Sequence, residues 1–113
     1  MKDLDLAWDT YEFHASTTAN NESDFLKYVG EEANANNLNK LIACSALLIN
    51  GYTKQNIALK DLIGIHKYHS LNGVPIPIER EVSISTLNEL INTNSTLIEC
   101  LKLQNEEFKS LLG

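Results

Sequence analysis

Residues 83–113 read SISTLNELINTNSTLIECLKLQNEEFKSLLG, which is the most regular apolar pattern in the sequence. With Ile84 at heptad position a, apolar side chains occupy most of the a and d positions over four heptads. The residues of this seam are Ile84, Leu87, Ile91, Asn94, Ile98, Leu101, Asn105, Phe108 and Leu112. Such spacing is typical of a helix that packs along another helix. It predicts one long amphipathic helix of coiled-coil type, with Ser83 or Thr86 as its N-cap.

The seam leaves two arrangements open for this helix. Position g is occupied by Leu90, Leu97, Gln104 and Leu111, mostly apolar where a two-stranded coiled coil carries charges. A stripe that includes a, d and g needs more than one neighbour. Either the seam joins copies of the chain into a homo-oligomer, a dimer or higher, or the helix folds back onto its own domain. Asn94 and Asn105 favour oligomerisation, because an Asn in a seam fixes register by pairing with its counterpart.

The preceding residues predict a small helical domain over 1–78, which forms one structural unit with the C-terminal helix. Apolar spacing indicates short helices over 3–14, 23–29, 38–49 and 54–63. Polar or glycine-containing joints are expected at 16–21, Asn50–Gly51, Gly64 and Asn72–Gly73. The stretch Val74–Ile78 cannot be helical, because each proline lacks an amide donor and forces its predecessor to be extended. The predicted fold class is mainly α, with one short Pro-bounded extended segment.

Composition and charge limit the class of protein. The 113 residues suit a single domain, and 15 acidic against 9 basic residues give a formal charge of −6. Residues 1–32 hold eight acids and two lysines, so the negative excess lies in the first third. No apolar stretch approaches the roughly 20 residues of a membrane span, and the first residues lack a signal-peptide pattern. We expect a cytoplasmic protein, in the host cytoplasm if the gene is viral, and no membrane partner.

Residue types that carry chemistry are sparse. His66 and His69 have a spacing that could bind zinc, but no CxxC or HExxH motif accompanies them. Cys44 lies in an apolar segment and Cys100 on the flank of the heptad pattern, which favours two reduced, unreactive thiols. The sequence also has no glycine-rich phosphate loop. We therefore expect no enzyme activity, no cofactor and no metal site.

The first functional hypothesis is a small non-enzymatic adaptor or inhibitor that binds a protein partner. An Asn- and Ile-rich, Arg-poor composition suits the AT-rich genome of a phage or mobile element. Acidic surfaces steer association with basic partners. The expected partner-binding residues are Asp3, Asp5, Asp9 and Glu12.

The alternative hypothesis is a helix-turn-helix transcriptional regulator that dimerises through the C-terminal helix. The predicted helix 38–49, the turn Asn50–Thr53 and the helix 54–63 have the outline of that motif. Asn and Gln read adenine edges, and Lys contacts guanine or phosphate. The expected DNA-binding residues are Lys54, Gln55, Asn56, Lys60 and Lys67. With one arginine in the chain and little positive charge, nucleic acid is the less favoured partner.

Overall fold

The computed structural model describes residues 3–113, which form three α-helices and one 3₁₀ turn. The helices are α1, Leu4–Val29; α2, Ala35–Leu71; and α3, Ile84–Leu112; the 3₁₀ turn is Ile78–Arg80. The predicted mainly α fold class, with a long C-terminal helix, is confirmed. Within this part of the chain no helix is both long and apolar enough to cross a membrane.

Helix α1 begins at Asp3, whose carboxylate accepts a hydrogen bond from the Asp5 amide at 3.0 Å. The helix continues through 16–21, so the loop predicted there is wrong. Thr18 is buried in this stretch, and its hydroxyl donates to the His14 carbonyl at 2.6 Å. A threonine can make this bond within a helix, and packing of the Thr18 side chain overrides a composition that favours loops.

Helix α2 runs through both of its predicted breaks, at Asn50–Gly51 and at Gly64. The expected turn at Asn50–Thr53 is therefore wrong, and so is the interruption at Gly64. Gly51 lies where α1 passes closest, since a Cβ added there would overlap the Thr18 side chain. The Thr53 hydroxyl donates to the Ile49 carbonyl at 2.7 Å instead of capping a new helix. The glycine thus permits close helix packing and does not end the helix.

The connector 72–83 turns the chain back toward α3. Gly73 has a φ of 64°, the left-handed conformation that suits glycine. The predicted turn at Asn72–Gly73 and the extended Pro-containing segment are confirmed, except that Ile78 already belongs to the 3₁₀ turn. Ser83 then caps α3 by accepting a hydrogen bond from the Thr86 amide at 3.1 Å.

Helix α3 folds back and packs antiparallel to α2. The d-position residues Leu87, Asn94 and Leu101 are buried within the single chain. Within the single chain α3 packs along its own α2, and the homo-oligomer stays a prediction. The a-position residues are half-buried, apart from Leu112, which is exposed at the end of the helix.

Two apolar clusters hold the three helices together, one toward each end of an elongated body of 57 × 20 × 20 Å. The first cluster is Leu4, Ala7, Leu59, Leu62, Ile65 and Leu87. The second cluster is Phe25, Leu38, Leu41, Cys44, Leu48 and Leu101. Each cluster joins α1, α2 and α3, so α1 and α3 run parallel to each other and antiparallel to α2.

Candidate functional site

Helices α1 and α3 both pack on α2 but not directly on each other. Within residues 3–113, no Cα atom of α1 lies within 8 Å of a Cα atom of α3. Helices in direct contact have axes about 8–10 Å apart, which brings some Cα atoms closer than that. The two outer helices therefore stand apart, and α2 forms the floor between them.

The space between them opens as a groove beside the second apolar cluster. It consists of two adjoining cavities of about 230 Å³ and about 300 Å³ that share Phe25 and Gln104. We call this the α1–α3 groove. Apolar and aromatic side chains form its floor: Phe25, Leu38, Leu41, Leu48, Tyr52 and Leu101. Leu26 and Val29 form the α1 rim, and Leu97 and Leu111 form the α3 rim.

The rim residues of the groove are apolar and exposed to solvent. Leu26 is 61% exposed, Val29 52%, Leu97 38% and Leu111 69%. Single exposed apolar residues are normal, but a contiguous set that borders an apolar cleft marks an interaction site. The groove is therefore the best candidate for a functional surface in the described part of the chain.

The apolar g positions of α3 have a structural explanation here. Leu90 packs against the first cluster, where the three helices meet. Leu97, Gln104 and Leu111 instead line the groove, farther along the same side of α3. The a and d positions of the stripe thus pack toward α2, whereas its g positions Leu97, Gln104 and Leu111 border the groove.

Acidic residues lie at both ends of the groove. Glu22 lines one end, and Glu31 and Glu32 line the other, whereas no lysine or arginine among residues 3–113 lines either cavity. The Tyr52 hydroxyl donates to Glu22 Oε2 at 3.3 Å. Burial, and next the negative charge of Glu22, raise the pKa of Tyr52, so its phenol stays protonated and keeps donating this bond.

Three of the four acids expected to bind a partner lie beside Arg80 of the same chain. Arg80, the only arginine in the chain, approaches Asp5, Asp9 and Glu12 through its Nε, Nη2 and Nη1 atoms at 3.4, 3.8 and 3.4 Å. The Asp3 carboxylate caps α1. The three acids remain exposed, so each pair contributes little free energy. Sequence reasoning missed this arrangement because Arg80 is distant along the chain.

The residues of the alternative DNA-binding hypothesis do not form one surface. Gln55 and Asn56 are 6% and 9% exposed, because they hydrogen-bond across to α3. Asn94 Nδ2 donates to Gln55 Oε1 at 3.2 Å and to Asn56 Oδ1 at 3.0 Å. The predicted separate recognition helix is wrong, since this stretch is the middle of α2.

The three lysines of that hypothesis remain on the surface of α2. Lys54, Lys60 and Lys67 are exposed. At 100° per residue, Lys60 and Lys67 share one side of the helix, and Lys54 lies on another. The set that was expected to contact DNA is therefore split between buried amides and lysines on different sides.

Two histidines and two cysteines complete the chemically interesting residues. His66 Nδ1 donates to the Leu62 carbonyl at 2.8 Å, and His66 and His69 line a cavity of about 360 Å³ beside the connector. Among residues 3–113, no three potential ligands are placed to share a metal ion.

The two cysteines have different surroundings. Burial, and next the charge of Asp24, raise the pKa of the Cys44 thiol, whereas Cys100 is exposed at the edge of the groove.

Comparisons of this chain with known protein families, curated proteins and solved structures find no match. We therefore infer the function from the shape and charge of the α1–α3 groove.

Proposed function

We propose that the protein is a small non-enzymatic adaptor or inhibitor that holds a segment of another protein in the α1–α3 groove. The observation that carries this proposal is the pair of exposed apolar rims above a buried apolar floor. Covering Leu26, Val29, Leu97 and Leu111 removes apolar surface from water, at about 25 cal/mol per Å². Leu87, Asn94 and Leu101 of the α3 seam are already buried within the chain, and of the seam residues only Leu101 and Phe108 line the groove.

The acidic N-terminal surface contributes to the same function. Asp5 and Glu12 lie on α1, and steps of seven residues along that helix lead from Glu12 to Ala19 and then to Leu26 on the groove rim. Negative charge on this side of α1 attracts a basic partner toward the groove and raises the association rate more than the affinity. The apolar rims then retain the partner.

A designed peptide provides the experiment, with leucines on one helical face and glutamines on the other. We expect amide NMR shifts to change mainly at groove residues when this uncharged peptide is added. Leu26→Lys and Leu97→Lys should each weaken binding about tenfold or more, because each places a charge where an apolar contact forms.

Leu103→Lys is the matched control, since Leu103 is 68% exposed on α3 but does not line the groove. It should leave the affinity unchanged. Shift changes spread over the whole molecule, or equal losses in all three variants, would contradict the proposal.

A further inference from the structure

We infer that the segment bound in the α1–α3 groove is a basic amphipathic α-helix of another protein, an inference that rests on the proposed function. Three observations support it: the arrangement of the three helices, the charge at the ends of the groove, and the behaviour of Arg80. The first observation concerns the placement of the backbone. The other two concern side chains at different places on the surface.

The helix arrangement is that of a four-helix bundle that lacks one member. In such a bundle each helix packs against two neighbours, and the remaining helix lies diagonally across the core. Helices α1 and α3 each pack on α2, run parallel to each other and stay apart, as diagonal helices do. The vacant position lies between them, opposite α2. An α-helix that packs there would complete the bundle and contact both rims.

The length of the groove suits a helix of ordinary size. Its α3 side runs from Leu97 to Leu111, about 21 Å at the standard helical rise, or about four turns. Its α1 side ends at Val29, and the loop that carries Glu31 and Glu32 closes that end. A bound helix would therefore need apolar residues over about four turns.

The charges at the groove favour a basic occupant. Glu22 at one end and the Glu31–Glu32 pair at the other leave carboxylates on both sides of the apolar floor. Lys27 and Lys40 do not line the groove, and their ammonium groups lie 5.8 and 5.0 Å from the centre of the Tyr28 ring. Lysines or arginines that flank a leucine face would meet these carboxylates, and ion pairs of this kind determine which partner is accepted.

The chain itself shows that α1 accepts a basic side chain from a neighbouring segment. Arg80 lies along Asp5, Asp9 and Glu12, which are spaced so that their carboxylates lie on one side of the helix. This contact lies about three to five turns of α1 before the groove begins at Glu22. The acidic side of α1 therefore accepts a guanidinium group from another segment.

A second copy of this chain is the less suitable occupant. Each copy has a net charge of −6, and its α1 would add further carboxylates at the groove. Like charges brought together at an interface oppose association. An anionic membrane surface is disfavoured for the same reason.

Three designed helical peptides test the inference. They share one leucine face and differ only in the flanking residues, which are Lys, Gln or Glu. We expect affinity in the order Lys, Gln, Glu, with the Lys peptide about tenfold or more tighter than the Glu peptide at low salt. The difference should shrink as salt increases, because the pairs are exposed to solvent.

Substitutions assign the preference to particular carboxylates. The double variant Glu31→Gln, Glu32→Gln should reduce the advantage of the Lys peptide and leave the Gln peptide unaffected. Glu99→Gln is the control, because the Glu99 carboxylate lies 3.6 Å from Lys102 Nζ on another side of α3. Glu99→Gln should change the affinity of neither the Lys peptide nor the Gln peptide.

The outcomes separate this inference from the proposed function. Equal binding of the three peptides in the groove would overturn the basic occupant but leave protein binding intact. Failure of all three to bind there would contradict the proposed function itself. A rise in solution mass to a dimer that the Lys peptide reverses would identify a second copy as the occupant, and would also overturn the inference.

Discussion

Gly51 and Gly64 both lie inside α2, yet the two glycines have different surroundings. A Cβ at Gly51 would overlap the buried Thr18 side chain, whose hydroxyl is already bonded to the His14 carbonyl. A Cβ at Gly64 would have no heavy atom within 4 Å. The first glycine is needed for the packing of α1 on α2, and the second only lowers helix propensity.

The two positions should therefore respond oppositely to the same substitution. Gly64→Ala should raise the free energy of unfolding by about 0.5–1 kcal/mol, the difference in helix propensity. Gly51→Ala gains the same helix propensity but forces the Thr18 side chain to move, and such overpacking costs about 1–3 kcal/mol. We therefore expect Gly51→Ala to lower the free energy of unfolding. Urea denaturation measures both. Stabilisation by both variants would show that α1 does not approach α2 closely at Gly51.

Asn94 shows how one side chain sets the register of two helices. It lies between the two apolar clusters and bonds to Gln55 and Asn56 on α2. Asn56 in turn donates to Ser95 Oγ at 3.2 Å. Sliding α3 along α2 would leave these buried amides unpaired, which costs about 1–3 kcal/mol for each group. Asn94 therefore does within one chain what the sequence pattern suggested it would do between chains.

At the scale of helices, local signals could be read from the sequence and contacts between distant residues could not. The length of α3 and its cap depend on residues close together in the chain; the long helix was predicted, and Ser83 was one of the two predicted caps. The continuity of α1 through 16–21 depends on Thr18 meeting Gly51, a contact that composition does not reveal. For the same reason the sequence pattern identified the apolar g positions of α3 but not the groove, which needs Leu26 and Leu97 on facing helices.

Helix α3 should behave as part of a single-chain core. Leu87 is fully buried in the first apolar cluster. Leu87→Ala should therefore lower the free energy of unfolding by about 2–5 kcal/mol. Leu103→Ala, on the exposed side of the same helix, should change it by less than about 0.5 kcal/mol.

The concentration dependence of thermal unfolding distinguishes this arrangement from an intermolecular coiled coil. Because α3 packs on its own α2, the Tm of the unmodified protein should not depend on protein concentration. A Tm that rises with protein concentration would show that folding is linked to assembly. It would then favour the arrangement in which the α3 seam joins copies of the chain.

The whole molecule is a long three-helix body with an apolar groove at one end and acidic residues along α1. Ile76 and Val82 of the connector also pack against the first cluster, whereas the groove lies beside the second cluster. A more compact three-helix bundle would close this space by bringing the outer helices together. The proposed binding function explains why α1 and α3 leave an open groove between them.

The reactivity of Cys100 tests this account most directly. Cys100 is exposed at the edge of the groove, and Cys44 is buried with a raised pKa, so a thiol reagent at neutral pH should modify Cys100 alone. Saturating amounts of the Lys-flanked leucine peptide should slow modification of Cys100 at least several-fold, and the Leu26→Lys variant should lose this protection. An unchanged Cys100 rate at saturating peptide would contradict binding of a helix in the α1–α3 groove.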